Sequence, residues 1–180
     1  MAISTTEHAH RFDQRQIPVS NLNNPKFQEV LGIWSALRGQ SIAPAWNTAD
    51  LLKYPTSVIP YISVVDVLPD GEFRYRFWGT GHSDVKGYDY TGQSPRDHEP
   101  QEYGHMIHDD YEQVVNQAEP VAFVHDIRPE ISHAPKFQET LRLPLSNDGK
   151  NVTGVISFAD WHTNADHWVD FFEVATGAAD

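Results

Sequence analysis

The sequence predicts an α+β domain in which one antiparallel sheet carries short helices on one face. Strand-like segments pair as hairpins both early and late in the chain, and segments with helical periodicity lie between these hairpins. No internal repeat interrupts this order. Hairpins with the helices segregated between them are typical of the α+β class, because antiparallel neighbours need only short turns.

The clearest part of the pattern is a hairpin over residues 61–78. Two β-rich segments flank Pro69-Asp70-Gly71, where proline presets one turn torsion and glycine allows a positive φ. In the second segment Phe73, Tyr75 and Phe77 alternate with polar residues. A period of two predicts that these three side chains face the core.

Helical periodicity marks four segments. Asn24 and Pro25 suit the start of a helix that runs to Gly39, since asparagine caps and proline fits the first helical position. Residues 80–86 suit a single turn of helix, and residues 100–116 carry a longer apolar stripe. A last helix is predicted at residues 165–174.

Three β-type segments complete the core, at residues 121–128, 136–145 and 152–161. The last two are joined by an Asn-Asp-Gly turn, which is a strong hairpin signal. Residues 1–23 are polar and unpatterned and are predicted to be a loose arm. The domain is therefore predicted to span residues 24–161, including the N-terminal helix at 25–39, with a C-terminal helix or tail at 162–180.

Composition limits the function and the compartment. The net charge of −12 disfavours nucleic-acid binding, because phosphate backbones are repelled and no basic stripe is present. The absence of cysteine excludes disulfides, thiolate catalysis and Cys-ligated metal clusters. The sequence shows neither a membrane-spanning apolar run nor a signal peptide, so we expect a cytoplasmic protein with no membrane partner.

Several short motifs resemble one family. They are Trp34-Ser35-Ala36-Leu37-Arg38-Gly39, the segment 62–67, Phe73-Arg74-Tyr75-Arg76-Phe77-Trp78-Gly79-Thr80, Gly87-Tyr88-Asp89-Tyr90-Thr91-Gly92 and Glu119-Pro120-Val121. Together with the order of elements, they resemble PAS domains, and more narrowly a family of bacterial stand-alone PAS-like proteins of unassigned function. This resemblance implies a five-stranded antiparallel sheet with short helices on one face and a flanking N-terminal helix. It also implies a small-molecule pocket and a sensory or interaction role, but no catalytic residues. Trp161-His162 departs from the Asp-Ile-Thr-like step that closes many PAS domains.

Candidate pocket residues are polar or aromatic groups on inward faces and in the short-helix region that the resemblance assigns to the pocket. His125 shares a strand face with apolar neighbours, so it is either a ligand contact or a buried histidine bonded to a backbone carbonyl. The full set of candidates is Tyr75, Phe77, His82, Tyr88, Phe123 and His125.

Metal and catalytic sites are not predicted. His105, His108 and Asp109 have a spacing that could share a metal ion, but the helical wheel turns His105 and Asp109 away from the apolar stripe and leaves His108 at its margin. A haem ligated by His105 is therefore not expected. The sequence has no dinucleotide-binding, Walker or nucleophile-elbow motif, so an enzyme is not predicted.

The N-terminal helix predicts a homodimer. Its apolar stripe needs a cover, which is either the helix's own sheet or a second subunit. The candidate interface residues are Phe27, Val30, Leu31, Trp34 and Leu37.

The predicted function is a sensory or protein-interaction module that binds a small apolar or amphipathic ligand and signals through contact with a partner protein. One alternative is a haem- or metal-binding PAS sensor, and a second is a small enzyme that uses the pocket. The sequence leaves the identity of the ligand and of any cofactor open.

Overall fold

A computed structural model describes residues 11–128 and 136–161, so the predicted helix at 165–174 lies outside the described residues. The fold contains a six-stranded sheet in the order β1-β4-β5-β6-β2-β3, with every neighbouring pair antiparallel. Its strands are β1 (Arg11–Ile17), β2 (Ile62–Val67), β3 (Phe73–Trp78), β4 (Val121–Arg128), β5 (Lys136–Leu145) and β6 (Gly154–Asp160).

Within the described ranges, three α-helices and several short 3-10 turns accompany the sheet. The helices are α1 (Pro25–Arg38), α2 (Thr80–Lys86) and α3 (Gln101–Gln117), and the 3-10 turns are Val19–Asn21, Thr48–Lys53, Ile59–Tyr61 and Pro95–Asp97. The hairpin β2–β3 lies beside β6, and the helices α2 and α3 lie between β3 and β4 in sequence. This arrangement confirms the predicted α+β class and the PAS-like fold.

The prediction of a loose arm over residues 1–23 is wrong for β1, which pairs along its whole length with β4 and adds a sixth strand to the expected five. Glutamines at alternate positions hide this strand from a search for apolar alternation. Gln14 donates a hydrogen bond from its side chain to Asp110, and the ring of Phe12 lies 6.0 Å from that of Tyr103. Polar and aromatic contacts with α3 therefore hold the strand in place.

Helices cover both faces of the sheet: the helices between β3 and β4 lie on one face, and the flanking N-terminal helix lies on the other, which is one of the two covers considered for it. On the inner face, α2 and α3 pack over residues such as Tyr75 and Phe123. On the outer face, α1 and the segment 42–58 pack over the leucines of β5. The sheet therefore lies between two separate hydrophobic cores.

The N-terminal helix packs on its own sheet, which removes the reason for assigning it to a dimer interface. Phe27, Val30 and Trp34 are buried within the same chain, and the Trp34 indole donates a 2.8 Å hydrogen bond to the Pro144 carbonyl. Leu31 and Leu37 are half-buried against the same core. The sequence could not separate these two covers, because both bury the same stripe.

Contrary to the prediction from the sequence, Phe77 does not share a face with Tyr75, because a β-bulge interrupts the alternation. The pairing of β2 with β3 shifts register between Val64 and Val65, so the side-chain alternation of β3 changes near its end. Phe77 packs with the outer core, while Trp78 joins Tyr75 in the inner core. Register is a property of two strands, and the pattern of one strand does not reveal the shift.

Local signals explain where the other elements begin and end. The Asn24 side chain accepts a hydrogen bond from the Lys26 amide at the start of α1, as predicted. Gly87 ends α2 with φ of 71°, a conformation that glycine adopts without strain. Across the first hairpin, Asp66 pairs with Arg76 at 2.7 Å.

Candidate functional site

A polar cavity lies between the inner face of the sheet and the helices α2 and α3. Its volume, measured as the space open to the centres of water molecules, is about 20 Å³, which corresponds to one or two waters. Aromatic, cationic and hydroxyl side chains line it. They are Ser63, Tyr75, Trp78, His82, Lys86, His98, Tyr103, Ile107, Tyr111, Gln138, Thr140, Arg142, Ser157, Ala159 and Trp161.

Two glycines let the surrounding elements come close enough to form the cavity. A Cβ at Gly81 would lie 2.5 Å from the Tyr61 ring, so only glycine allows α2 to pack on that ring. A Cβ at Gly104 would lie 2.9 Å from the carbonyl oxygens of Arg96 and of His98. This close approach holds the loop that carries His98 against α3.

Lys86, at the end of α2, is buried among aromatic rings. Its Nζ lies 4.0 Å from the ring centroid of Tyr103 and 5.7 Å from that of Trp161. Burial lowers the pKa of this lysine well below its ordinary value, and the positive charge of Arg142 lowers it further. The electron-rich faces of the rings favour the charged form in this setting.

Arg142, on β5, is the second cation of the cavity. Its Nη2 and Nε donate to Asp110 Oδ2 at 2.7 and 2.9 Å, and its Nη1 donates to the Ser157 hydroxyl at 3.0 Å. The guanidinium also lies 4.2 Å from the ring centroid of Tyr111. A buried carboxylate thus balances this arginine, which stays charged.

Asp110 is the centre of a buried polar network. Its Oδ2 also contacts Nε2 of His125 at 2.8 Å, and its Oδ1 accepts the bond from Gln14 described above. Nδ1 of His125 lies 3.2 Å from the Gln138 side-chain oxygen. His125 is thus bonded to side chains, in contrast to the backbone carbonyl considered as its alternative partner.

Two further buried histidines touch the cavity, and both favour the neutral form. Nε2 of His98 lies 2.8 Å from the Tyr75 hydroxyl. The pKa of His98 is lowered well below its ordinary value, first by burial and then by the charge of Lys86. Burial also lowers the pKa of His82 to about 3, with a further contribution from Lys86.

Several polar atoms of the lining have no hydrogen-bond partner among the described residues. They include Trp78 Nε1, His98 Nδ1 and Thr140 Oγ1. An indole N–H can only donate, so Trp78 requires an acceptor. Buried polar groups normally have a protein or water partner, so unpartnered atoms gathered around one cavity call for a water molecule or a ligand inside it.

The predicted pocket residues fall into four groups. Tyr75 and His82 line the cavity, while Phe123 and His125 lie beside it in the inner core and its polar network. Phe77 lies on the opposite face of the sheet.

Tyr88, the sixth candidate, is 54% exposed and packs on Tyr90, so it is not part of the lining. The glycine that ends α2 lies immediately before it. The chain therefore leaves the short helix just before Tyr88, and this side chain lies outside the cavity.

Sequence reasoning missed most of the charged lining, although one signal was present. In β5 the polar side chains of Gln138, Thr140 and Arg142 alternate with Leu141 and Leu143. All three polar residues are buried, and they face the cavity while the leucines face the outer core. A polar period of two within a buried strand is a detectable sign of a polar site. Nothing in the sequence around Lys86, by contrast, distinguishes it from an exposed lysine.

The structure also groups three possible metal ligands on α3. Ligand atoms of His108, Asp109 and Glu112 lie within 4.8 Å of one another. Asp109 and His105 are exposed, as the helical wheel predicted, whereas His108 is fully buried and its Nε2 lies 3.1 Å from Glu72 Oε2. The group lies outside the lining of the cavity.

Solved structures similar to this chain include PAS and LOV domains. The PAS domain of the histidine kinase ThkA aligns with 55% of this chain and 97% of its own, at 19% identity and a TM-score of 0.39. An RNA-binding Light-Oxygen-Voltage receptor aligns with 94% of this chain and 44% of its own, at 16% identity and a TM-score of 0.46. The dark structure of the Aureochrome1 LOV domain aligns with 73% of this chain and 95% of its own, at 12% identity and a TM-score of 0.41.

The PAS-like assignment rests on the strand order and on the helices between β3 and β4, since identities and TM-scores at this level carry no argument about function. No protein-family model and no curated protein matches the sequence. None of the described helices combines the length and hydropathy that a membrane span requires.

Proposed function

We propose that this protein is a sensory or protein-interaction module that binds a small ligand in the cavity between its sheet and the helices α2 and α3. The observation that carries this proposal is the set of unpartnered polar atoms on Trp78, His98 and Thr140 around one cavity. Buried polar groups normally have a protein or water partner, and a ligand in the cavity would supply the partner that the described residues do not. A ligand that accepts and donates hydrogen bonds there would stabilise the folded state.

The lining favours a polar ligand over the apolar or amphipathic one predicted from the sequence. An apolar molecule in the cavity would place hydrocarbon against the polar ends of Lys86 and Arg142, which is unfavourable. The volume, about 20 Å³ for water centres, also excludes flavin or haem while these side chains keep their positions. His105, the haem ligand considered from sequence, is exposed on the far side of α3.

The route to output is proposed to run through Trp161. This residue follows β6 directly, and its indole donates a 2.9 Å hydrogen bond to Nδ1 of His82 in α2. A ligand that displaces α2 would change this contact and thereby the chain that follows the sheet. A partner protein that recognises that region would sense the occupied cavity.

A homodimer also remains a prediction, but it needs a surface other than α1. The residues Phe27, Val30 and Trp34 are buried in their own chain. Sedimentation of the wild-type protein across micromolar concentrations would test the dimer.

Native mass spectrometry of the purified protein, combined with an absorption spectrum, tests the proposed function. We expect a small adduct that disappears on denaturation, with no band in the visible range. The matched variant is Trp78→Phe, which keeps an aromatic side chain with a smaller ring and removes the unpartnered N–H. Protein without any adduct, together with no thermal stabilisation by a library of small metabolites, would contradict ligand binding.

A further inference from the structure

We infer that the cavity takes a small carboxylate, an anion about the size of acetate, held between α2 and the inner face of β5. This inference rests on the proposed function, because it names the chemical class of the ligand for the same site. Three independent features support it: the charge of the lining, the kind of hydrogen-bonding atoms left unpartnered, and the size and shape of the space.

The lining presents basic groups to the cavity. Among the described residues that line it, Lys86 and Arg142 are basic, Arg142 stays charged, and none is a carboxylate. An anion would favour the protonated form of Lys86, whose pKa is lowered by burial. Asp110 lies behind the lining, where two bonds from Arg142 and one contact with His125 occupy its Oδ2. An anion in the cavity would lie in a field that the buried surroundings screen only weakly.

The unpartnered atoms are suited to an acceptor. Trp78 Nε1 is a donor by its chemistry, and the Thr140 hydroxyl can rotate to donate. His98 becomes a third donor at Nδ1 when the Tyr75 hydroxyl donates to its Nε2. A carboxylate has two oxygens with about four acceptor positions, so one such group can satisfy all three donors.

The size and the walls of the cavity separate a carboxylate from other anions. Room for the centres of one or two waters suits an ion with few heavy atoms. Ile107 and Ala159 supply apolar surface in the same lining, next to the ring of Trp161. A short carboxylate offers an oxyanion to the donors and a hydrocarbon end to these side chains, whereas nitrate and phosphate present oxygen on every side.

Calorimetric titration of the full chain tests this inference, with sodium acetate as the probe and acetamide as a neutral molecule of the same shape. We expect acetate to bind and acetamide to give no heat. Lys86→Met should weaken acetate binding by about tenfold or more, which corresponds to about 1.4 kcal/mol. Trp78→Phe should weaken it in the same direction. Lys150→Met, at an exposed lysine in the turn before β6, is the matched control and should leave the affinity unchanged.

Other outcomes would overturn the inference and identify what fails. Equal binding of acetate and acetamide would exclude recognition of charge, and tighter binding of nitrate or phosphate than acetate would exclude the carboxylate class. If acetate, nitrate and phosphate all fail to bind at about 10 mM, a concentration above the dissociation constant of even a weak site, the cavity is not an anion site. If native mass spectrometry still shows a neutral adduct, the proposed function stands without the anion. If it shows none, both proposals fail together.

Discussion

The indole N–H of Trp161 donates to Nδ1 of His82, and this 2.9 Å bond fixes the tautomer of a buried histidine. Because an indole nitrogen can only donate, Nδ1 must accept and the proton of neutral His82 lies on Nε2. The bond also connects α2 to the residue that follows the last strand. The bond therefore holds α2 against the end of the last strand. It is also the contact through which we propose that ligand binding acts on the chain after β6.

Trp161→Phe should remove this hydrogen bond while keeping an aromatic side chain in the core. Loss of one buried hydrogen bond, together with the smaller ring, should lower the free energy of unfolding by about 1–3 kcal/mol. Urea denaturation followed by circular dichroism measures the change. Trp46→Phe, at a half-buried position on the outer side of the sheet, is the control and should change stability less. Equal losses for both variants would argue against a specific role for the bond.

Asp110→Asn should be among the most destabilising single changes in the chain. It removes the only carboxylate shown to contact Arg142 among the described residues and leaves a buried guanidinium without its charge partner. Breaking a buried pair in this way costs about 3–5 kcal/mol. The adjacent variant Asp109→Asn is a matched control, because Asp109 is exposed and should change stability by less than about 0.5 kcal/mol. Similar unfolding midpoints for the two variants would contradict the assigned network.

Trp34→Ala should destabilise a single chain and leave its oligomeric state unchanged. The ring is fully buried between α1 and the sheet, so its removal should cost about 3–5 kcal/mol. Chemical denaturation and analytical ultracentrifugation on the same samples separate stability from assembly. Leu52→Ala, at a residue that is 83% exposed, serves as the control. A shift of the variant from dimer to monomer with little loss of stability would restore the predicted interface role of α1.

The sequence predicted local structure well, because local signals determine it. The Asn24 cap, the glycine that ends α2 and the Asn-Asp-Gly turn act through neighbouring residues, and the elements they delimit lie near the predicted positions. The bounds of β4 and β5 match the predicted segments. The predictions that were wrong depend on contacts between residues that are distant in the sequence. β1 forms because β4 offers an edge, and its alternating glutamines gave no local sign of this.

The candidate site could be predicted only in part for the same reason. Tyr75 and His82 were identified because they occupy inward or pocket-forming segments. Lys86 and His98 were missed, since a buried lysine and a buried loop histidine look like surface residues until the tertiary fold places them. Their burial depends on α3 and on the close approach at Gly104, which no local pattern encodes.

The two histidines of the cavity should make the folded protein sensitive to acid. The pKa of His82 falls from 6.5 to about 3 on folding. Between these two pH values, His82 is protonated in the unfolded chain and neutral in the folded chain. The contribution of His82 to the free energy of unfolding is at its maximum above pH 6.5. It decreases as the pH falls below that value, by about 1.4 kcal/mol per pH unit. The lowered pKa of His98 acts in the same direction.

Urea unfolding at several pH values between about 7 and 4.5 measures this dependence. His82→Gln should reduce the slope, because glutamine does not titrate. The control is His105→Gln at the exposed histidine of α3, which should leave the slope as in the wild type. A wild-type protein whose stability stays constant over this range would contradict the buried, neutral state of both histidines.

Lys86→Met should stabilise the protein when no ligand is present, although it removes a residue of the proposed binding site. Folding moves this ammonium from water into an environment that lowers its pKa well below 10.5, with burial as the main cause and Arg142 as the second. Below pH 10.5 the unfolded chain therefore holds its proton more readily than the folded chain, and stability decreases as the pH falls from that value. Methionine has a similar length and no charge, so at neutral pH the variant should gain about 1–3 kcal/mol. The gain should shrink as the pH rises toward 10.5, and Lys150→Met should show no such trend. Acetate should narrow the difference, because it should raise the unfolding temperature of the wild type once its concentration exceeds the dissociation constant and raise that of Lys86→Met less at the same concentration. A loss of stability in Lys86→Met without acetate would show that the contacts with the rings of Tyr103 and Trp161 outweigh the cost of burying the charge.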